Sequence, residues 1–116
     1  SPAWHPGGRA IVYSTLNADG RQQIVARDLG GGSRVLASGA VINTTPTVSP
    51  DGGTVVFGRG EENGVDLYTV PWGGGVVRRL TVGRGTLNTQ PTYSPDGRRI
   101  AFTSGRSGRP EVYISG

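Results

Sequence analysis

Short apolar runs alternate with glycine- and proline-rich segments along the whole chain. The clearest runs are AIVYS at residues 10–14, TVVFG at residues 54–58 and RIAFT at residues 99–103. Each run is shorter than a typical helix and is bounded by turn-forming residues, so each predicts a β-strand. Ile11-Val12-Tyr13 and Val55-Val56-Phe57 are apolar at consecutive positions. That pattern predicts strands covered on both faces, in an all-β fold.

These strands lie in a sequence that repeats itself. SPAWHPGGRAIVYS begins at Ser1, TPTVSPDGGTVVFG at Thr45 and QPTYSPDGRRIAFT at Gln90. Further along, IVARDLGGGSRVL matches LYTVPWGGGVVRRL with one small gap. A repeat of about 40–45 residues that contains four short strands is typical of β-propeller blades, each a sheet of four antiparallel strands. The predicted units are blade 1 at residues 1–45, blade 2 at residues 46–90 and a partial blade 3 at residues 91–116 that lacks its outermost strand.

The repeated tetrapeptides HPGG, SPDG and SPDG precede the second strand of each unit. Proline suits the first central position of a β-turn, aspartate can bond the backbone beyond it, and glycine accepts a positive φ. We therefore assign a structural role to these turn residues: Pro50, Asp51, Gly52, Pro95, Asp96 and Gly97.

The pattern P-x-[WVY]-[SH]-P-[DG]-G-x-x-[IV]-[AV]-[FY], followed by a strand with [LV]-Y, then GG and R-L-T, resembles the TolB-type β-propeller repeat. The resemblance covers essentially the whole chain, although His5 and Gly7 depart from it in the first unit. It implies a propeller that has six blades in most relatives and binds protein partners over the mouth of its channel. It also implies a periplasmic or otherwise extracytoplasmic location.

Two complete blades and a partial third are fewer than the four to eight that close a propeller. An open arc leaves a blade face uncovered at each end, and covering roughly 400 Å² of apolar surface stabilises by about 10 kcal/mol. We therefore predict a homodimer, a partial propeller completed by self-association into a six-bladed ring. The alternative is a truncated propeller domain of a larger protein, such as the gating propeller of a prolyl-oligopeptidase-like serine peptidase.

Composition excludes several classes of function. The net charge is +4, but the twelve arginines are scattered and form no basic run, so nucleic-acid binding is not predicted. The chain has no cysteine, which excludes disulfides and thiolate metal sites. No apolar stretch approaches the ~18 residues of a membrane-spanning helix, so membrane insertion is not predicted.

We predict no catalytic residue, metal site or cofactor. His5 is the only histidine and falls in a turn, and the GxSxG motif of serine hydrolases is absent. Asp51 and Asp96 occupy equivalent turn positions, which favours a turn-forming role over paired acid–base catalysis. Trp4, on an inner strand, is expected in the core, and Trp72 is expected to pack on an adjacent strand.

One repeated polar segment is a candidate binding site. It precedes the first strand of blades 2 and 3, which in a propeller is the innermost strand, so its loops should surround the channel mouth. Amide and hydroxyl groups there suit a protein or peptide ligand, whereas the structural alternative is that they bond the backbone of the connecting loop. The candidate rim residues are Asn43, Thr44, Thr45, Asn88, Thr89 and Gln90.

Overall fold

The computed structural model describes residues 2–16, 18–40, 43–61, 64–80, 88–104 and 111–115. Within these ranges, only the backbone is described at residues 39–40, 43–45, 61, 64–65, 88–91, 102–104 and 111–115.

The described strands form three antiparallel sheets, and in each sheet the strands are hydrogen-bonded in chain order. The first sheet contains β1 (Ala3–Trp4), β2 (Ala10–Leu16), β3 (Gln22–Asp28) and β4 (Ser33–Ala40). The second contains β5 (Asn43–Val48), β6 (Thr54–Glu61), β7 (Gly64–Pro71) and β8 (Arg78–Arg79). The third contains β9 (Asn88–Tyr93), β10 (Ile100–Ser104) and β11 (Glu111–Ser115).

Strand register repeats from sheet to sheet. Between the first two strands of each sheet, Trp4 pairs with Ile11, Val48 with Val55, and Tyr93 with Ile100. Between the next two strands, Tyr13 pairs with Val25, Phe57 with Tyr68, and Phe102 with Tyr113. Residues at aligned positions of the sequence repeat therefore hold the same place in each sheet.

The apolar core lies between neighbouring sheets. Val12, Ile24 and Ala26 of the first sheet form one cluster with Val55 and Phe57 of the second. A smaller cluster joins the second and third sheets through Val56, Leu67 and Ile100. Because side chains alternate along β6, Val55 and Phe57 face the first sheet while Val56 faces the third.

The prediction of a strand covered on both faces is thus confirmed for β6, where Val55, Val56 and Phe57 are all fully buried. In β2 only Val12 is fully buried, whereas Ile11 and Tyr13 are half-buried. The prediction that Trp4 lies in the core is wrong, because its side chain is 63% exposed. Trp4 lies on the face of the first sheet that points away from the second.

The first strands of the second and third sheets begin earlier than the sequence indicated. β5 starts at Asn43 and β9 at Asn88. Each strand contains a proline, and in each the pairing register shifts around it, between Thr44 and Thr47 in β5 and between Thr89 and Thr92 in β9. A bulge tolerates proline, which cannot donate to the ladder, so the strand continues past it.

Candidate functional site

The SPDG segment of the second sheet forms a turn held by its own side chains. Ser49 Oγ donates a hydrogen bond to Asp51 Oδ1 at 2.6 Å and accepts one from the backbone N–H of Thr54 at 3.0 Å. The backbone N–H of Gly53 donates to the same Asp51 oxygen at 2.8 Å. Gly52, with φ of 78°, donates its N–H to the carbonyl of Ser49 at 2.8 Å.

The SPDG turn of the third sheet repeats this network. Ser94 Oγ donates to Asp96 Oδ1 at 2.6 Å, and the backbone N–H of Arg98 donates to that oxygen at 3.0 Å. The backbone N–H of Arg99 donates to Ser94 Oγ at 3.1 Å. Gly97 has φ of 75° and closes the turn by donating its backbone N–H to the carbonyl of Ser94 at 2.9 Å.

The electrostatics of the two turns follow from these bonds. The hydroxyl of Ser49, followed by the backbone N–H of Gly53, holds the pKa of Asp51 below its usual range. Ser94 and the backbone of Arg98 lower the pKa of Asp96 in the same way. Burial raises the pKa of Tyr93, and the negative charge of Asp51 raises it further.

The turns of neighbouring sheets also contact one another. His5, in the HPGG turn, lies with Nε2 3.0 Å from the carbonyl oxygen of Gly52, while Nδ1 accepts the backbone N–H of Gly7 at 3.2 Å. Since Nδ1 accepts, Nε2 carries the proton and donates to Gly52. The position that a Cβ would take at Gly97 lies 3.4 Å from Cδ of Pro50. Each SPDG glycine is thus covered by the turn of the preceding sheet.

His5 is further fixed by packing against Trp72. The two rings are tilted, with centroids 4.4 Å apart. Arg34 of β4 places its guanidinium 5.2 Å from the centre of the Trp72 ring and donates from Nε and Nη2 to the Trp72 carbonyl, at 3.1 and 2.6 Å. His5, Trp72 and Arg34 therefore bind the first sheet to the second, and the histidine has a structural role.

The outward face of the first sheet differs most from the sheet faces described above, which a neighbouring sheet covers. We call it the open face and define it by Trp4, Ile11, Tyr13, Arg27 and Val35. Trp4 is 63% exposed, whereas Val48, at the same register position of the second sheet, is 9% exposed. Ile11 and Tyr13 are half-buried, whereas their equivalents Val55 and Phe57 are fully buried. In the described part of the chain, no sheet packs on this face.

An open groove of about 530 Å³ lies on the open face. Its walls are mostly apolar, with the guanidinium of Arg27 as the charged group. The groove is lined by Pro2, Ile11, Tyr13, Ser14, Arg27 and Leu29.

The candidate rim residues are placed by backbone alone, and their side chains lie outside the described residues. Asn43, Thr44 and Thr45 are the first three residues of β5, and Asn88, Thr89 and Gln90 those of β9. They belong to strands rather than to the loops that were expected. β5 contacts both β1 and β9, so the first strands of the three sheets lie side by side. Their binding role stays a prediction.

Two polar clusters elsewhere have structural explanations. Asp66 is almost fully buried and forms an ion pair with Arg79 of β8. The Arg59 guanidinium lies 5.9 Å from the ring centre of Phe57 and 5.0 Å from that of Tyr68, and it donates to the carbonyl of Ser38 across the sheet boundary at 3.2 Å.

Among the residues that the structure describes, no three acidic or histidine side chains gather as a metal site would require. In those same ranges no helix has the length and hydropathy to cross a membrane.

Antiparallel sheets of the same register, packed face to face, define a class of protein: the chain is an array of β-propeller blades. The family model of the TolB beta propeller domain matches residues 1–116, and the chain belongs to this family. It is 32% identical to TolB from Acinetobacter baumannii, with a TM-score of 0.84, and the match covers 98% of this chain and 28% of that one.

Two further structures extend the comparison. A putative TolB from Agrobacterium tumefaciens is 25% identical with a TM-score of 0.79, over 88% of this chain and 36% of that one. A puromycin-hydrolyzing peptidase from Mycobacterium tuberculosis is 18% identical with a TM-score of 0.79, over 99% of this chain and 21% of that one. The chain therefore spans about a third or less of each of these relatives, and the peptidase shares only its fold.

Proposed function

We propose that the chain is a non-enzymatic propeller unit that self-associates, two copies completing a six-bladed ring that serves as a protein- or peptide-binding scaffold. The observation that carries this proposal is the open face. Equivalent faces on the second and third sheets are covered by a neighbouring sheet, whereas this one exposes Trp4, Val35 and a groove. Neighbouring sheets cover the equivalent faces inside the chain, which supports a second propeller blade as the partner of this one.

The location that we propose is extracytoplasmic, by resemblance to the TolB family to which the chain belongs. We propose a protein or peptide partner on the basis of the propeller fold, and not on the basis of a catalytic site. The hydroxyl and carboxylate of the SPDG turns bond one another and the backbone, as Ser49 and Asp51 do, which supports a turn-forming role for them.

Self-association is tested by the mass of the chain in solution. We expect sedimentation equilibrium to give twice 12.1 kDa for the wild-type chain at micromolar concentration. Ile11→Asp places a carboxylate in the groove and should raise the dissociation constant at least about a hundredfold. Leu16→Asp is the matched control, because Leu16 is on the same strand, is 63% exposed and points to the other side. A wild-type monomer, or equal effects of both variants, would contradict the proposal.

Ligand capture at the rim is tested separately. We expect a random peptide display library to yield binders of the wild-type chain, and the double variant Asn43→Ala and Asn88→Ala to lose most of that binding. Thr15→Ala with Ser38→Ala removes two exposed hydroxyls from the first sheet and should leave binding unchanged. Equal binding by both double variants would remove the rim from the proposal.

The second candidate function is that of a gating propeller within a prolyl-oligopeptidase-like serine peptidase. The shared fold with the Mycobacterium tuberculosis peptidase favours it, at an identity that supports the fold alone. In that role the open face would meet another blade of the same polypeptide, and the isolated chain would stay monomeric in the sedimentation experiment.

A further inference from the structure

We propose that the partner on the open face is the third sheet of a second copy, and that Trp4 and Gly8 of one copy receive the turn Ser94–Gly97 of the other. The inference rests on the self-association proposed above and adds which two surfaces meet and through which residues.

The two interfaces inside the chain indicate which sheet of the second copy faces the open face. Val48 is buried against the first sheet, and Tyr93 packs against the second. Val48 pairs with Val55 and Tyr93 pairs with Ile100, just as Trp4 pairs with Ile11. Val48 and Tyr93 therefore hold the register position of Trp4. In each case the covering sheet is the preceding one in the repeat. In a closed ring, the sheet that precedes the first is the third sheet of the partner.

Charge and hydrogen bonding support the same pairing. Inside the chain, the turn that carries Asp51 packs on the turn that follows Tyr93, the residue equivalent to Trp4, since the Cβ position at Gly97 lies 3.4 Å from Cδ of Pro50. Asp96 is the equivalent of Asp51 and is exposed, so the repeat places the turn that carries Asp96 of the partner subunit against the turn that follows Trp4. The two hydrogen bonds described for Asp96 reach Oδ1. Oδ2 is then available to accept the indole N–H of Trp4, which can only donate.

The turn glycines provide an independent steric argument. A Cβ at Gly52 would lie 2.5 Å from Nε2 of His5, and one at Gly97 would lie 3.4 Å from Cδ of Pro50. Gly8 has the same positive φ, 74°, but no described atom lies within 4 Å of its Cβ position. Gly8 holds the place of Gly52 and Gly97 in the repeat, so its open Cβ position is where Pro95 of the partner subunit would lie.

Tryptophan emission reports this contact directly. In a Trp72→Phe background, Trp4 is the only tryptophan, and its emission, excited selectively over tyrosine, should move to shorter wavelength as the concentration rises through the dimerisation range. Trp4→Phe keeps the apolar ring and removes the N–H donor, so we expect sedimentation to show about tenfold weaker dimerisation. Asp96→Asn keeps an acceptor for Ser94 and Arg98 and should weaken dimerisation to a similar extent. Combining the two variants should add little, because they remove the same bond.

The Gly8→Asn variant tests the proposed contact between Gly8 and the turn of the second copy. Asparagine tolerates positive φ, so the turn should form, but the added side chain would meet the partner and weaken dimerisation about tenfold or more. Gly20→Asn is the matched control, since Gly20 has φ of 78° and an equally open Cβ position in another hairpin. Circular dichroism of each variant at low concentration checks that the fold is retained.

The outcomes separate this inference from the proposal beneath it. A dimer whose Trp4 emission does not shift, or in which Gly8→Asn and Gly20→Asn behave alike, overturns the Trp4–Gly8 contact and leaves self-association standing. A wild-type chain that stays monomeric overturns both. A concentration-dependent shift, together with selective weakening by Trp4→Phe, Asp96→Asn and Gly8→Asn, supports the contact.

Discussion

Phe57→Ala should lower the free energy of unfolding by about 3–5 kcal/mol, whereas Tyr13→Ala should lower it by only about 1 kcal/mol in the dilute monomer. The two residues hold equivalent positions in β6 and β2. Phe57 is fully buried between the first and second sheets, and Tyr13 lies half-buried on the open face. Removing the ring therefore leaves a buried cavity at Phe57, whereas at Tyr13 it removes a ring that is already partly in solvent.

Urea denaturation followed by tryptophan emission measures both losses at a concentration below that of self-association. Phe57→Leu, expected to cost about 1–1.5 kcal/mol, gives a measurable transition if the alanine variant is already unfolded. Equal losses at Phe57 and Tyr13 would contradict the arrangement of sheets described above, because they would require both rings to be equally covered.

Gly52→Ala should destabilise the chain by about 1–2 kcal/mol more than Gly20→Ala. Both glycines have φ of 78°, so an L-residue brings the same backbone strain, about 1–2 kcal/mol, to each position. Only at Gly52 would the new methyl group meet a side chain, the His5 ring. The ring must then give up its hydrogen bond to the Gly52 carbonyl and its contact with Trp72, and these losses make up the difference.

Replacing His5 by serine, the residue found in the other two turns, provides the control for this interpretation. In a His5→Ser background, Gly52→Ala and Gly20→Ala should cost the same amount in thermal or urea unfolding. An excess cost at Gly52 that persists without the histidine would mean that another group, and not His5, restricts this turn.

The repeat was sufficient to predict the fold, because turn chemistry and apolar runs recur at fixed spacing. Ser49 and Asp51 fold their turn through contacts within six residues of chain, and such local interactions are readable from the sequence. The second strand of each unit was likewise recognisable, since Val55, Val56 and Phe57 need no distant partner to specify an extended, buried segment.

The failures of prediction involve contacts between units. Trp4 has the sequence position of a core residue, but its burial depends on which sheet lies in front of it, and the repeat pattern does not contain that information. His5 was recognised as a departure from the SPDG turn, yet its acceptor lies 47 residues away on the next turn. Pro46 and Pro91 concealed the early starts of β5 and β9, because a bulge that tolerates proline depends on pairing with the neighbouring strand.

The conserved register has a consequence for how such a chain can grow. Since Trp4–Ile11, Val48–Val55 and Tyr93–Ile100 are equivalent pairs, each unit offers its successor the same geometry that it accepts from its predecessor. Duplication of one unit therefore keeps the same backbone geometry at both of its boundaries. Blade number can then change by whole modules, whereas contacts such as His5 with Gly52 couple the side chains of adjacent modules.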